Sequence, residues 1–130
     1  MRAIDTNIII RLVTQDDQEQ LSTALTIIGF PFLVLPTVIL ESVWVLQSVY
    51  KVDRVALAAK LTEIVGHENA NLVSGNAMMW AVERFAMGAD FADMLHIALA
   101  SEAKASQFST FDKSITKYVS NAKMPIETLV

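Results

Sequence analysis

Cysteine is absent from all 130 residues. That excludes disulfide staples, a thiolate zinc site and a cysteine nucleophile, and it leaves the chain indifferent to a reducing cytosol. Charge is also scarce: 18% of residues are charged against 53% hydrophobic, where a charged share of about 25% is usual. So few polar residues cover a lone small globule poorly, and we read the excess as a buried subunit interface. The stretch from Leu21 to Leu40 has no charge at all. Its length alone would suit a membrane span, but Gly29, Pro31 and Pro36 cut it into pieces that read better as a helix end, a buried strand and the start of another helix. The opening Met-Arg-Ala-Ile-Asp has no apolar run of signal-peptide length before its first acid. A soluble cytoplasmic protein with no membrane contact is expected.

What is present is enough for one ordinary domain, and a chain of this size buries roughly two thirds of its unfolded surface. The net charge of -4, from 14 acids and 10 bases, argues at first against a nucleic-acid partner. If four carboxylates form one metal site, the rest of the surface is neutral overall and has room for basic patches, so net charge neither supports nor excludes RNA.

Apolar periodicity and turn residues predict alternating elements. Strands are expected at Arg2 to Ile4, Phe32 to Leu35, Asn71 to Val73, Gln107 to Thr110 and Ile126 to Leu129. Helices are expected at Ile8 to Val13, Leu21 to Ile28, Pro36 to about Tyr50, and from an Asp53 cap to Val65 with Gly66 as the stop. Thr14 to Gln18 reads as a polar break. Further helices run from Asn76 to Met87 before Gly88, from Asp90 to about Lys104, and from Asp112 to Val119. Strands alternating with helices give an α/β fold, a parallel sheet covered on both faces, as a single domain over residues 1–130.

In open parallel sheets, ligands bind beyond the carboxyl ends of the strands. Asp5 and Asp112 both follow strands, although an aspartate there is often only a helix cap. Glu41 is the one charged residue between Glu19 and Lys51, and its helical neighbours are Val38, Trp44 and Val45. A glutamate on or beside an apolar face needs a metal, a basic group or a proton, because burying an unpaired charge costs several kcal/mol. The alternative is a surface glutamate on the opposite side of the helix. Asp90 and Asp93 share a helix face with His96 one turn on. Capping explains Asp90 better than Asp93, and His96 reads as a packed or hydrogen-bonding residue rather than a ligand.

Four carboxylates brought together repel and raise at least one pKa unless a cation neutralises them. Oxygen-only donors favour Mg²⁺ or Mn²⁺ over zinc. Such ions can polarise a phosphodiester and make a bound water acidic enough to attack it.

Four segments in order, Ala-Ile-Asp-Thr-Asn-Ile-Ile-Ile-Arg-Leu, Ile-Leu-Glu-Ser-Val-Trp-Val-Leu, Asp-Phe-Ala-Asp-Met-Leu-His-Ile-Ala and Ser-Thr-Phe-Asp-Lys, resemble the acidic motifs of PIN domains. Their spacing and the total length look like VapC-type toxins of bacterial and archaeal toxin-antitoxin pairs. The resemblance implies a three-layer α/β/α sandwich with a central, mostly parallel sheet. It also implies an endoribonuclease that hydrolyses RNA with metal-activated water, forms homodimers and is inhibited by a small cognate antitoxin. By the same resemblance Asp5, Glu41, Asp93 and Asp112 are the metal-binding and catalytic acids, with Mg²⁺ as cofactor and Mn²⁺ as a substitute. Thr6, Asn7 and Thr110 match supporting positions, and Asp90 stays open between cap and outer ligand. Met94 departs from the pattern, since a smaller residue is commoner after the third acid. The alternatives are a housekeeping PIN nuclease and a non-catalytic PIN-like binding module; the latter would be expected to lose acids from the cluster. A phosphatase with an aspartyl nucleophile would want a second aspartate at position 7, which is Asn, and a receiver would want adjacent acids where Ile4 stands.

Overall fold

Short strands and direct strand-to-helix joints dominate the chain. A computed structural model of the protein describes residues 1–120 and 123–130. Strand β1 (Arg2–Ala3) runs almost at once into helix α1 (Thr6–Thr14), and α2 (Gln18–Ile28) follows. Strand β2 (Phe32–Val34) leads into α3 (Pro36–Ser48) and α4 (Arg54–Val65). Strand β3 (Ala70–Leu72) precedes α5 (Gly75–Ala86) and α6 (Phe91–Glu102), and β4 (Phe108–Thr110) precedes a 3₁₀ helix (Lys113–Tyr118) and β5 (Ile126–Thr128).

All strand pairings among the described residues are parallel. β1, β2 and β3 lie side by side in that order, with Arg2 opposite Phe32 and Phe32 opposite Ala70; β4 pairs with β5 in a separate ladder. Parallel strands need long crossovers, and here helices supply them, giving the expected three-layer α/β/α arrangement about a parallel sheet. The matched register places the carboxyl ends of β1, β2 and β3 at one edge, and Asp5 and the start of α3 lie there together.

The core lies under this edge. Phe32 and Val34 of β2 are buried, as are Ile39, Ser42, Val43 and Leu46, which form an i, i+3, i+4, i+7 stripe along α3. Burying each large side chain contributes about 1.5–3 kcal/mol relative to leaving it in water. Phe85 and Phe91 meet edge to face with ring centroids 6.0 Å apart, locking α5 to α6 across the turn between them. Arg54 of α4 closes that turn: its Nη1 donates to the carbonyls of Phe85 and Ala89 at 2.9 and 2.6 Å, and its guanidinium lies 4.5 Å from the Phe85 ring centroid. Gly88 in the turn has φ +117°, and a Cβ there would stand 3.0 Å from the Tyr118 hydroxyl. The position combines a left-handed backbone with no room for a side chain.

Several elements differ from the sequence expectation at their starts. Helix α1 begins at Thr6 rather than Ile8 and buries Thr6, Ile9 and Ile10, leaving Leu12 and Val13 half-buried. Helix α2 begins at Gln18 because Asp17 caps it, accepting from the Gln20 amide at 3.0 Å. Both starts are polar, so apolar periodicity is blind to them and the cap alone marks them. Helix α5 runs one residue earlier than expected at each end, β3 likewise, and the segment after Asp112 is a 3₁₀ helix. Leu33 is half-buried, so β2 is buried on one face more fully than the other.

Candidate active site

Three of the predicted acids are helix caps. Asp5 precedes α1 and its Oδ1 accepts from the Thr6 amide at 2.7 Å. Asp90 precedes α6 and its Oδ2 accepts from the Asp93 amide at 2.9 Å. Asp112 precedes the 3₁₀ helix, and its Oδ1 accepts from the Ser114 amide at 2.8 Å and from the Ser114 hydroxyl at 2.6 Å. A carboxylate at a helix start satisfies amides that have no partner in the helix and sits at the positive end of its dipole.

Asp93 is the exception. It lies in the first turn of α6, half-buried, and Asp90 already does the capping. Burial pushes the Asp93 carboxyl above the usual aspartate range, and the neighbouring Asp90 and Asp112 carboxylates push it the same way, while His96 acts against them. The Ser114 hydroxyl and amide hold Asp112 below that range. The carboxylates of Asp90, in the same helix start, and of Asp112, about twenty positions on at the start of the 3₁₀ helix, thus both lie near enough to act on Asp93.

Glu41 is placed differently from the burial argument. It is exposed on α3, off the buried stripe, and its neighbour Trp44 is 66% exposed. Val38 and Val45 are half-buried against the core, but the Glu41 side chain itself is exposed, so no buried charge needs a partner there. Glu41 does line a groove of about 440 Å³ with Thr37, Leu40, Trp44 and Ala92. Ala92 immediately precedes Asp93, which puts Glu41 on the approach to that acid. Asp5 lies at the carboxyl end of β1 and is not among the charges acting on Asp93. Asn7 is exposed and Thr6 is buried. The Thr110 hydroxyl accepts from the Asp112 amide at 3.0 Å, supporting the acid through its backbone. His96 is exposed rather than packed.

The described residues match the family model of the PIN domain over residues 3–120. The chain belongs to the PIN-domain family. No curated protein and no solved structure matches it significantly. The PIN domain is generally a nuclease fold, and its members generally use divalent metal ions such as Mg²⁺. Among the described residues of this PIN domain, no three His, Asp or Glu side chains stand close enough to share one metal ion. Mg²⁺ takes only one or two carboxylates and keeps its other positions for water and phosphate, so an oxygen-only set centred on Asp93 and Asp112 fits its donor chemistry.

Sequence reasoning missed two contributors. Ser114 fixes the Asp112 carboxylate with two hydrogen bonds, and the Asp-Lys-Ser spacing is the signal that carries it. Arg54 holds the turn that leads into Asp90 and the start of α6. Nothing in the sequence around Arg54 distinguishes it from a surface arginine. None of the described helices is long and apolar enough to cross a membrane.

Proposed function

We propose that this PIN domain is a Mg²⁺-dependent endoribonuclease, with Mn²⁺ able to substitute, acting as the toxin of a toxin-antitoxin pair in the cytoplasm. The observation that carries the reading is Asp93: a half-buried carboxylate with raised pKa, left uncapping, facing two further carboxylates. Asp93 and Asp112 would hold the cation, with Glu41 and Asp5 completing the acidic edge and Asp90 serving as cap. When bound, a divalent cation supplies Lewis acidity toward a phosphoryl oxygen and makes water a stronger acid.

The chain's own groups do the rest. Asp112 is kept ionised and aimed by Ser114, and Thr110 fixes its backbone. Asp93 has lost part of its hydration, so its attraction for a cation is less screened than that of an exposed carboxylate. Asp90 holds the first turn of α6 so that Asp93 does not move with it.

A homodimer and a small antitoxin complete the reading. Support comes from large apolar side chains at the surface, among them Trp44 at 66%, Val49 at 63% and Phe111 at 73% exposure. Exposed aromatic and aliphatic side chains on this scale are surface that a partner would cover. The antitoxin would cover the groove beside Glu41 and bring a basic side chain to the acids. RNA incubated with the purified protein is expected to be cut in Mg²⁺ or Mn²⁺ and left intact in EDTA. Cleavage persisting in chelator, with contaminating nucleases excluded, overturns the mechanism. Growth arrest on expression, relieved by the neighbouring short reading frame, separates the toxin from a housekeeping nuclease.

A further inference from the structure

A protein of net charge -4 repels RNA at long range, so a nuclease of this charge needs its cations gathered in one place. Three of the ten, Arg84, Lys117 and Lys123, are held on aromatic rings of α5 and of the segment after Asp112. The Trp80 ring of α5 has two cations on it, Arg84 with its guanidinium 4.9 Å from the centroid and Lys123 with its ammonium 5.1 Å away. The Arg84 Nε donates to the Tyr118 carbonyl at 3.1 Å, and the Lys117 ammonium lies 5.5 Å from the Tyr118 ring centroid. Arg84 thus ties the Trp80 ring and Lys123 to the backbone of Tyr118, whose ring carries Lys117.

Contact with a ring does not cancel a cation's charge as an ion pair does. Among the described residues, Lys117 and Lys123 make no ion pair, and only Arg84 has an acid, its neighbour Glu83. The charge is thus left for an outside anion. The patch adjoins the acids from two directions. Lys117 is five residues along the 3₁₀ helix that Asp112 caps, about 10 Å at 2 Å per residue. Tyr118 also packs against Gly88, two residues before Asp90.

We propose that Arg84, Lys117 and Lys123, set on Trp80 and Tyr118, form the surface that grips the RNA backbone to one side of the acids. The choice of RNA rests on the nuclease reading. The rings hold the cations in place; the cations hold phosphates, so this surface contributes affinity without base preference.

The test is the binding of a labelled single-stranded RNA in EDTA, where nothing is cut, measured from low to physiological salt. Each phosphate contact to a single strand contributes about -0.7 to the slope of log affinity against log salt, so replacing Lys117 and Lys123 together by alanine should make the slope shallower by about 1.4 and weaken low-salt binding roughly tenfold. Lys117→Glu alone, at an exposed position, should weaken binding further than Lys117→Ala, and it guards against a folding defect at Lys123. Replacing Lys51 and Lys60, which lie on neither α5 nor the 3₁₀ helix, should leave the slope unchanged. The proposal is overturned by an unchanged slope in the double variant, by an equal loss in the Lys51 and Lys60 pair, or by loss of polyglutamate binding with RNA binding intact, which would assign the patch to an acidic protein segment. Binding through these lysines by a protein that never cleaves RNA would overturn the nuclease reading and leave this surface standing.

Discussion

The starts of α6 and of the 3₁₀ helix bring Asp93 and Asp112 together and then treat them in opposite ways. At the 3₁₀ helix one acid does everything: Asp112 caps, is gripped by Ser114 and is held ionised. At α6 the work is divided, with Asp90 capping and Asp93, three residues on, left without that duty and with a raised pKa. A carboxylate whose lone pairs are taken by its own helix is fixed and stable, while one relieved of capping is free to take another partner. Sites that depart from local stability in this way are where function is to be sought.

The largest expected effect divides the α6 pair. Asp93→Asn should lower metal-dependent cleavage by at least about a hundredfold, since losing even an outer partner of a metal ligand costs up to that. Asp90→Asn keeps the cap and should cost less than about tenfold. Equal losses in the two variants, measured as kcat/KM on one RNA, would break the distinction between them.

Next in size is the cap itself. Asp90→Ala removes the acceptor for the Asp93 amide and should lower stability by about 1 kcal/mol in chemical denaturation, whereas Asp90→Asn should change it little.

Asp93 and Asp112 should also move stability in opposite directions without metal. Asp93→Asn removes a carboxylate that its neighbours disfavour and should raise stability, by less than about 1 kcal/mol because solvent screens the site. Asp112→Asn weakens the acceptor for Ser114 and should lower it.

The smallest effect is the pH dependence. Because the Asp93 pKa is raised on folding, its contribution favours the folded state below the ordinary aspartate range and is lost as pH rises through the raised value. The advantage of Asp93→Asn should therefore vanish in acid. Asp112, with its pKa lowered, contributes above the ordinary range and loses that contribution as pH falls through the lowered value. Denaturation midpoints of the wild type and both variants across acidic pH check both signs.

Much of this division was legible in the sequence, for reasons that can be named. Pro31 and Pro36 bracket β2, and Asp53 and Gly66 bracket α4 as cap and stop, so those elements fall where turn chemistry puts them. Asp90 as a cap with Asp93 left over follows from their three-residue spacing. The starts of α1 and α2 were not legible from periodicity because Thr6, Asn7 and Gln18 to Gln20 are polar. Glu41 shows a different limit. An isolated charge among apolar residues suggests burial, but periodicity reports which residues are hydrophobic and not which face the core. In this chain the hydrophobic excess reaches the surface at Trp44. The meeting of Asp93 with Asp112 depends on tertiary packing, and no spacing in the chain encodes it; the family resemblance implied it.

The central claim is that Asp93 serves a cation and not its helix, and thermal unfolding with and without Mg²⁺ tests it most directly. Binding to the folded state alone raises stability by RT ln(1 + [L]/Kd), so the melting temperature of the wild type should climb with the logarithm of Mg²⁺ concentration once that exceeds Kd. For Asp93→Asn the rise should be much smaller at the same concentration. An equal rise in both proteins would contradict the account.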